Sequence, residues 1–154
     1  MLSQTTEYAL RAMACLALQP ESLVPTNVVA ERTRVPGNYL AKVLQQLAGA
    51  GLIAGRRGVG GGYRLSKPAE RITLLEIIHA VGTLSRIESC PLGISTHGPL
   101  LCPLHRALDD AAAALIARFE GVTLQSLIDD PRTPSKPLCE TVPTTLTVAG
   151  KPRD

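Results

Sequence analysis

The 154-residue chain has no tryptophan, one phenylalanine and three tyrosines. An aromatic share of 3% cannot furnish an aromatic-rich sheet sandwich, so a core has to be assembled from Leu, Ile, Val and Ala. Apolar residues still reach 45%, enough for a core of packed helices with many small contacts. Long apolar runs are missing too. Nothing approaches the roughly 18–20 residues needed to cross a bilayer. Glu7 and Arg11 interrupt the first apolar stretch, and no small-residue cleavage site follows it. The expectation is a soluble, cytoplasmic protein with no membrane partner. In a reducing compartment the four cysteines, Cys15, Cys90, Cys102 and Cys139, do not read as a structural disulfide set, and they raise the question of metal or redox chemistry. No internal repeat is visible.

Enzyme signatures are equally scarce. There is no Ser/His/Asp set at useful spacing, and the acid pairs Asp109-Asp110 and Asp129-Asp130 read as solvated helix surface. The glycine run Gly58 to Gly62 lacks the Lys-Ser/Thr ending of a phosphate-binding loop, and it joins strand to strand. The expectation is a protein that is not an enzyme.

Charge is present but unevenly spread. The net value is +3, yet residues 1–71 hold Arg11, Arg32, Arg34, Lys42, Arg56, Arg57, Arg64, Lys67 and Arg71 against only Glu7, Glu21, Glu31 and Glu70. The remainder is mildly acidic. A basic half that binds a polyanion and a second half with another task fit this division.

Apolar residues recur at helical spacing from Thr5 to Gln19, and Pro20 closes the run. Thr26 is expected to cap a second helix through Val28, Val29 and Ala30. After a break at Val35-Pro36-Gly37, a third helix carries Tyr39, Leu40, Val43, Leu44 and Leu47 on its inner stripe and ends at Gly49 and Gly51. Two short helices around a tight break form a helix-turn-helix pattern. Leu52-Ile53-Ala54 and Tyr63-Arg64-Leu65 then read as a β-hairpin tipped by arginine and glycine. Thr73 and Glu76 have capping-box spacing and start a fourth helix. Residues 83–101 read as a loop. Pro103 at a first helical position leaves Cys102 as cap of a long helix with the stripe Leu104, Leu108, Ala111, Ala112, Leu115, Ile116 and Phe119, closed by Gly121. Thr123 caps a short last helix, and the proline-rich stretch beyond it reads as a disordered tail.

The hairpin suits a wing. Arg56 and Arg57 supply charge, while Gly58 and Gly60 let the backbone approach a phosphate or a minor groove. A helix-turn-helix sets its second helix in the major groove, start first. That start is Pro36, Gly37, Asn38, Tyr39 and Lys42. Asn38 has the donor–acceptor pair that reads adenine, and Lys42 reaches guanine or phosphate. Thr26 offers a hydroxyl and adjacent amides to phosphate, or serves as a plain cap. Tyr39 reads equally as a phosphate contact and as core.

These residues carry a resemblance. The stretch Arg57-Gly58-Val59-Gly60-Gly61-Gly62-Tyr63-Arg64-Leu65, then Ile72-Thr73-Leu74-Leu75-Glu76-Ile77-Ile78, resembles the signature of the Rrf-two family of winged-helix transcriptional regulators, IscR- and NsrR-like. Glu7-Tyr8-Ala9-Leu10-Arg11-Ala12 resembles that family's opening helix, and Cys102-Pro103-Leu104-His105 its cluster-binding segment. The resemblance covers about residues 1–130. It implies a homodimer built on the long helix, binding a palindromic double-stranded DNA operator and usually repressing.

The resemblance also implies a sensor site. Members with a cluster carry three cysteines before the long helix; here Cys90 and Cys102 match the outer two and the middle one is absent, with Thr96 and His97 nearby. His105 matches a histidine ligand of some relatives, and Glu7 an acidic ligand that others take from the partner's first helix. The chemistry is coherent, because a cysteine at a helix start favours its thiolate and lies on one face with a residue three positions on. Imidazole in place of thiolate is an accepted iron–sulfur variation. Three readings stay open: a two-iron two-sulfur (2Fe-2S) cluster at Cys90, Cys102, His105 and Glu7 or His97; a direct thiol redox sensor at Cys90 and Cys102; or no cofactor, with a partner protein in control or constitutive binding. Cys15 reads as buried packing, Cys139 as incidental, and His79 as an ordinary helix residue.

The sequence thus predicts a mainly α fold with a small β-hairpin: a winged helix-turn-helix plus a long dimerisation helix. Residues 1–82 form the DNA-binding unit, 83–101 the sensor loop, 102–130 the dimerisation helix with a short C-terminal helix, and 131–154 the tail.

Overall fold

The computed structural model describes residues 2–93 and 100–130 together with Cys139. Helix α1 (Gln4–Ala17) starts where the Ser3 hydroxyl accepts from the Thr6 amide at 3.2 Å. Helices α2 (Thr26–Thr33) and α3 (Gly37–Gly49) follow, then strands β1 (Ile53–Arg56) and β2 (Gly62–Leu65), antiparallel with Ile53 opposite Leu65 and Arg56 opposite Gly62. After a 3-10 turn at Ala69–Arg71 come α4 (Leu74–Val81), α5 (Pro103–Glu120) and α6 (Leu124–Ile128). This is a mostly helical winged helix with one two-stranded hairpin.

Helix α1 is the spine. Its small Ala9 and Ala12 let α2, α3 and α4 approach closely, and Met13 and Leu16 fill the space between them. Leu40, Val43, Leu44 and Leu47 arrive from α3, Ile77 from α4 and Leu124 from α6, all buried. No aromatic ring lies among the fully buried side chains, in line with the composition. The Thr73 capping box is complete: its hydroxyl accepts from the Glu76 amide at 3.2 Å, and the Glu76 carboxylate accepts from the Thr73 amide at 2.9 Å. Lys67 donates to the same carboxylate at 2.6 Å. Backbone bonds Leu74 N to Val122 O (2.9 Å) and Leu124 N to Ile72 O (2.8 Å) tie the end of α5 back to the start of α4.

Four expectations need revision. The cap of α2 is Pro25, not Thr26, which is the first helical residue; proline's fixed φ of −59° is already compatible with that position, and no hydroxyl is needed there. Tyr39 is exposed rather than on the buried stripe of α3, because one residue of helical rotation carries it off the line through Leu40, Val43, Leu44 and Leu47. Asp109 is buried rather than solvated, held by Arg86 from a segment 23 residues away. Cys139, read as incidental, is buried in the same core cluster as Cys15. The rest of the expected tail, 131–138 and 140–154, lies outside the described residues, as do residues 94–99 with Thr96 and His97.

Among the described residues no helix is long and apolar enough to cross a membrane.

Candidate functional site

The reading unit is built on a sharp reversal. Arg34 ends α2 in the left-handed region at φ 54°, and Pro36 at φ −56° launches α3. The apolar stripe of α3 faces α1, so Pro36, Gly37, Asn38, Tyr39 and Lys42 come together on the outer side of its first turns, all exposed. Tyr39 stands edge-on to Tyr8 of α1, ring centroids 6.3 Å apart at 60°. The ring is braced on one side while the residue stays exposed. Neither Pro25 nor Pro36 supplies a side-chain acceptor, which leaves the first amides of α2 and α3 available to an anion.

The wing stands beside the start of α2 and the end of α3. Gly58 (φ 91°) and Gly60 (φ 69°) occupy conformations that cost a side-chain-bearing residue about 1–3 kcal/mol, so the tight tip requires glycine there. Arg56 closes the tip by donating to the Gly60 carbonyl at 3.0 Å, while Arg57 is exposed. At the base, Val24 and Tyr63 exchange two backbone bonds of 2.9 Å and pin the wing to the segment entering α2. A Cβ at Gly62 would stand 2.4 Å from the Val24 carbonyl oxygen, so this close approach admits only glycine. An open groove of about 540 Å³ lies between Pro25, Thr26 and the wing arginines. Val59, fully exposed at the tip, was not singled out from the sequence; an apolar residue ringed by glycines was the available signal.

A second group of side chains gathers at the start of α5. Cys102 occupies the cap with no side-chain cap hydrogen bond, and Pro103 follows at the first helical position. One turn in, His105 Nδ1 lies 3.2 Å from the Cys102 sulfur and 3.8 Å from that of Cys90. Two thiols thus converge on one imidazole nitrogen. A further turn along, Asp109 accepts from Arg86 Nε at 2.6 Å, Arg86 Nη2 at 2.5 Å and the Ile87 amide at 2.8 Å. Arg86's hydrogen bonds, with the Ile87 amide second, hold the Asp109 carboxyl down at about 2. This clamp fastens the chain just before Cys90 to α5. Sequence reading missed it, since nothing local marks Asp109 as different from the exposed Asp110.

Glu7 is not part of this group. It pairs with Arg11 one turn along α1, on the exposed surface. Among the described residues no three His, Cys, Asp or Glu side chains are arranged as metal ligands. The donors at the α5 start are nonetheless the right kind for an iron–sulfur cluster, thiol and imidazole, and within one protomer they are one short of four.

The comparisons with known proteins agree on what this architecture belongs to. A family model described as "Rrf2: Iron-dependent Transcriptional regulator" matches residues 2–130. A protein of Aquifex aeolicus (strain VF5) named as an HTH-type transcriptional regulator is 31% identical over 132 residues, covering 84% of this chain and 92% of its own. Among solved structures, CymR of B. subtilis, described as the global cysteine regulator, is 26% identical with a TM-score of 0.68, covering 82% of this chain and 95% of that one. The oxidized form of Staphylococcus aureus CymR is 28% identical with a TM-score of 0.65, covering 84% and 96%. T. potens IscR superposes with a TM-score of 0.72 over 88% of this chain and 91% of its own; at 21% identity that likeness concerns the fold.

Proposed function

The chain belongs to the Rrf2 family of transcriptional regulators, and on that premise we propose that it is a homodimeric, operator-specific DNA-binding repressor whose affinity follows the chemical state of Cys90, Cys102 and His105. Family membership makes it a regulator rather than an enzyme. The observation that carries the sensing part is the meeting of two sulfurs on one ring nitrogen at the start of α5.

DNA contact is divided by task. Asn38 and Lys42 on α3 read base edges in the major groove, with Tyr39 reaching phosphate. Arg57 and the glycine backbone of the wing engage the flanking backbone or minor groove, with Arg56 stiffening the tip. The open amides at Thr26 and Gly37 receive phosphate oxygens. Residues 1–82 are assigned to this unit.

Dimerisation is assigned to α5. Its Leu104, Leu108 and Leu115 are 64%, 51% and 43% exposed, and its one buried residue is Asp109. An apolar stripe at this spacing left largely open among the described residues suits the same stripe on a second copy. Two reading helices would then stand roughly 34 Å apart, one turn of DNA. The segment 83–101 is the sensor loop, and Asp109 couples it to the dimer helix, so that a change at Cys90 and Cys102 alters the spacing of the reading helices.

The site has two working forms. In the first, Cys90, Cys102 and His105 would hold a 2Fe-2S cluster, with Glu7 of a second copy offered as fourth ligand, and the bound group would supply a one-electron redox centre sensitive to oxidants. In the second, the thiols act alone. A peroxide oxidises the Cys102 sulfur beside His105, and Cys90 resolves the oxidised sulfur into a disulfide. The specific observation favouring the second is that the ring nitrogen already hydrogen-bonds both sulfurs. Anaerobic purification with iron and sulfide analysis separates the two, followed by an operator shift assay with and without oxidant. Iron and sulfide in equal amounts support the cluster. Colourless protein whose operator affinity drops when Cys90 and Cys102 oxidise supports the thiols. Affinity indifferent to oxidant in both preparations removes the sensing role and leaves the DNA reading intact.

A further inference from the structure

Far from the α5 start, a second pair of thiols meets inside the reading unit. Cys15, on the inner face of α1, is 0% exposed, and Cys139, beyond α6, is 7% exposed in the same core cluster. The two thiols act on one another, a hydrogen bond between them being the largest influence on the titration of each. Arg32 of α2 completes the group. It hydrogen-bonds Cys15, and its Nε is buried without a hydrogen-bond partner. A guanidinium N–H left unsatisfied in the interior is costly, about 1–3 kcal/mol for an ordinary group and more for a charged one. An anion beside it removes that cost.

The chemistry divides the two sulfurs. The hydrogen bond from Cys15 lowers the Cys139 thiol below its ordinary range, with the charge of Arg32 adding to this. The same hydrogen bond, with burial, pushes Cys15 up. One sulfur holds the proton and the other becomes the thiolate. Cys139 is also the one at the edge of solvent, within reach of a small oxidant.

We propose that Cys15 and Cys139, with Arg32, form a hydroperoxide-responsive dithiol distinct from the Cys90, Cys102 and His105 group. The Cys139 thiolate attacks a peroxide oxygen; an S–O bond forms, the O–O bond breaks, and hydroxide leaves and takes up the proton that the Cys139 thiol gave up on ionising. Cys15 then gives up its proton to the departing oxygen and attacks the Cys139 sulfur; the S–S bond forms, the S–O bond breaks, and water leaves. Two thiols lose two electrons and one hydroperoxide gains them. The product is a covalent tie between α1 of the reading unit and a residue 124 positions along the chain.

The test uses the full chain carrying Cys90→Ser and Cys102→Ser, so that Cys15 and Cys139 are its only thiols. After titration with hydrogen peroxide the protein is denatured, alkylated and digested without reductant. The expected result is a linked Cys15–Cys139 peptide two hydrogens lighter than the separate thiols, a fall from two alkylated thiols to none, and full recovery with dithiothreitol. Adding Cys139→Ser abolishes the linkage and leaves Cys15 a thiol at the same peroxide dose. Arg32→Met, which keeps the packing volume but removes the cation, slows linkage by about tenfold, a pKa rise of about one unit in the attacking thiol. Two alkylatable thiols persisting at peroxide doses that fully oxidise free cysteine would overturn the proposal. So would a linkage found only between two chains, or Cys139 accumulating as sulfinic acid without linkage. The result does not depend on DNA binding or on iron, so it stands or falls separately from the function proposed above.

Discussion

Helices α3 and α5 are both amphipathic, yet they treat their apolar faces in opposite ways. Helix α3 buries Leu40, Val43, Leu44 and Leu47 against α1 and α4 and turns its polar start outward. Helix α5 is longer, and it leaves Leu104, Leu108 and Leu115 in solvent while burying only a carboxylate. The first is a finished packing surface. The second stays open among the described residues, and it is the surface assigned above to a second copy of the chain.

The largest effects should fall on the finished surface. Leu44→Ala or Leu47→Ala removes a fully enclosed side chain and should destabilise the unit by about 2–5 kcal/mol in chemical denaturation. A loss below about 1 kcal/mol would mean that the α1–α3 contact is looser than described. The complementary change, Leu108→Lys with Leu115→Lys, should leave far-UV helicity nearly intact while converting the protein to a monomer in sedimentation, with operator affinity down by at least about 100-fold, since half-site binding alone approaches non-specific strength. A dimer surviving both lysines would refute the role given to α5.

Smaller effects sharpen the division within the reading unit. Replacing Arg56 and Arg57 with Ala should weaken binding to operator and random DNA alike and reduce the salt slope by about 1, for the phosphate contact of Arg57. Asn38→Ala should instead cost affinity mainly on operator. Equal loss on both DNAs would place Asn38 at the backbone. Thr73→Ala breaks the capping box and should cost about 1 kcal/mol, read as a shift in thermal midpoint.

The smallest expected effect concerns Asp109. Its carboxyl is held at about 2 in the folded protein by Arg86, below the ordinary value of 3.8. A depressed carboxyl contributes stability above its unfolded value and loses it as pH falls towards the folded one. Unfolding free energy should therefore decline between about pH 4 and pH 2 in the parent chain, and this part of the decline should be absent in Asp109→Asn. An identical acid profile in both chains would show that the clamp is not energetically coupled to folding.

Whatever is written within one turn or one hairpin could be read in advance. Thr73 and Glu76 are three apart, Cys102 precedes Pro103, and the wing glycines sit together; each effect stems from local geometry, and so the winged fold was legible. The cap of α2 was misread because two residues there, Pro25 and Thr26, both suit the position. Asp109 and Cys139 were misread for a different reason. Their partners, Arg86 and Cys15, lie on other elements, and side-chain pairing across such separations has no periodic trace. The meeting of Cys90 with His105 is of the same long-range kind, and it came into view only through family resemblance.

Cys102 is at once a sulfur donor and the residue from which α5 departs. The helix is 18 residues long, about 27 Å from end to end. Any chemical event that swings its first turn acts on a lever arm of that length, so a tilt of only a few degrees moves the far end by an ångström or more. The far end is Gly121, and the backbone bonds of Val122 and Leu124, just past it, fasten the chain there to the Ile72–Leu74 stretch that starts α4. A small rearrangement around one sulfur would thereby arrive, mechanically enlarged, at the start of α4.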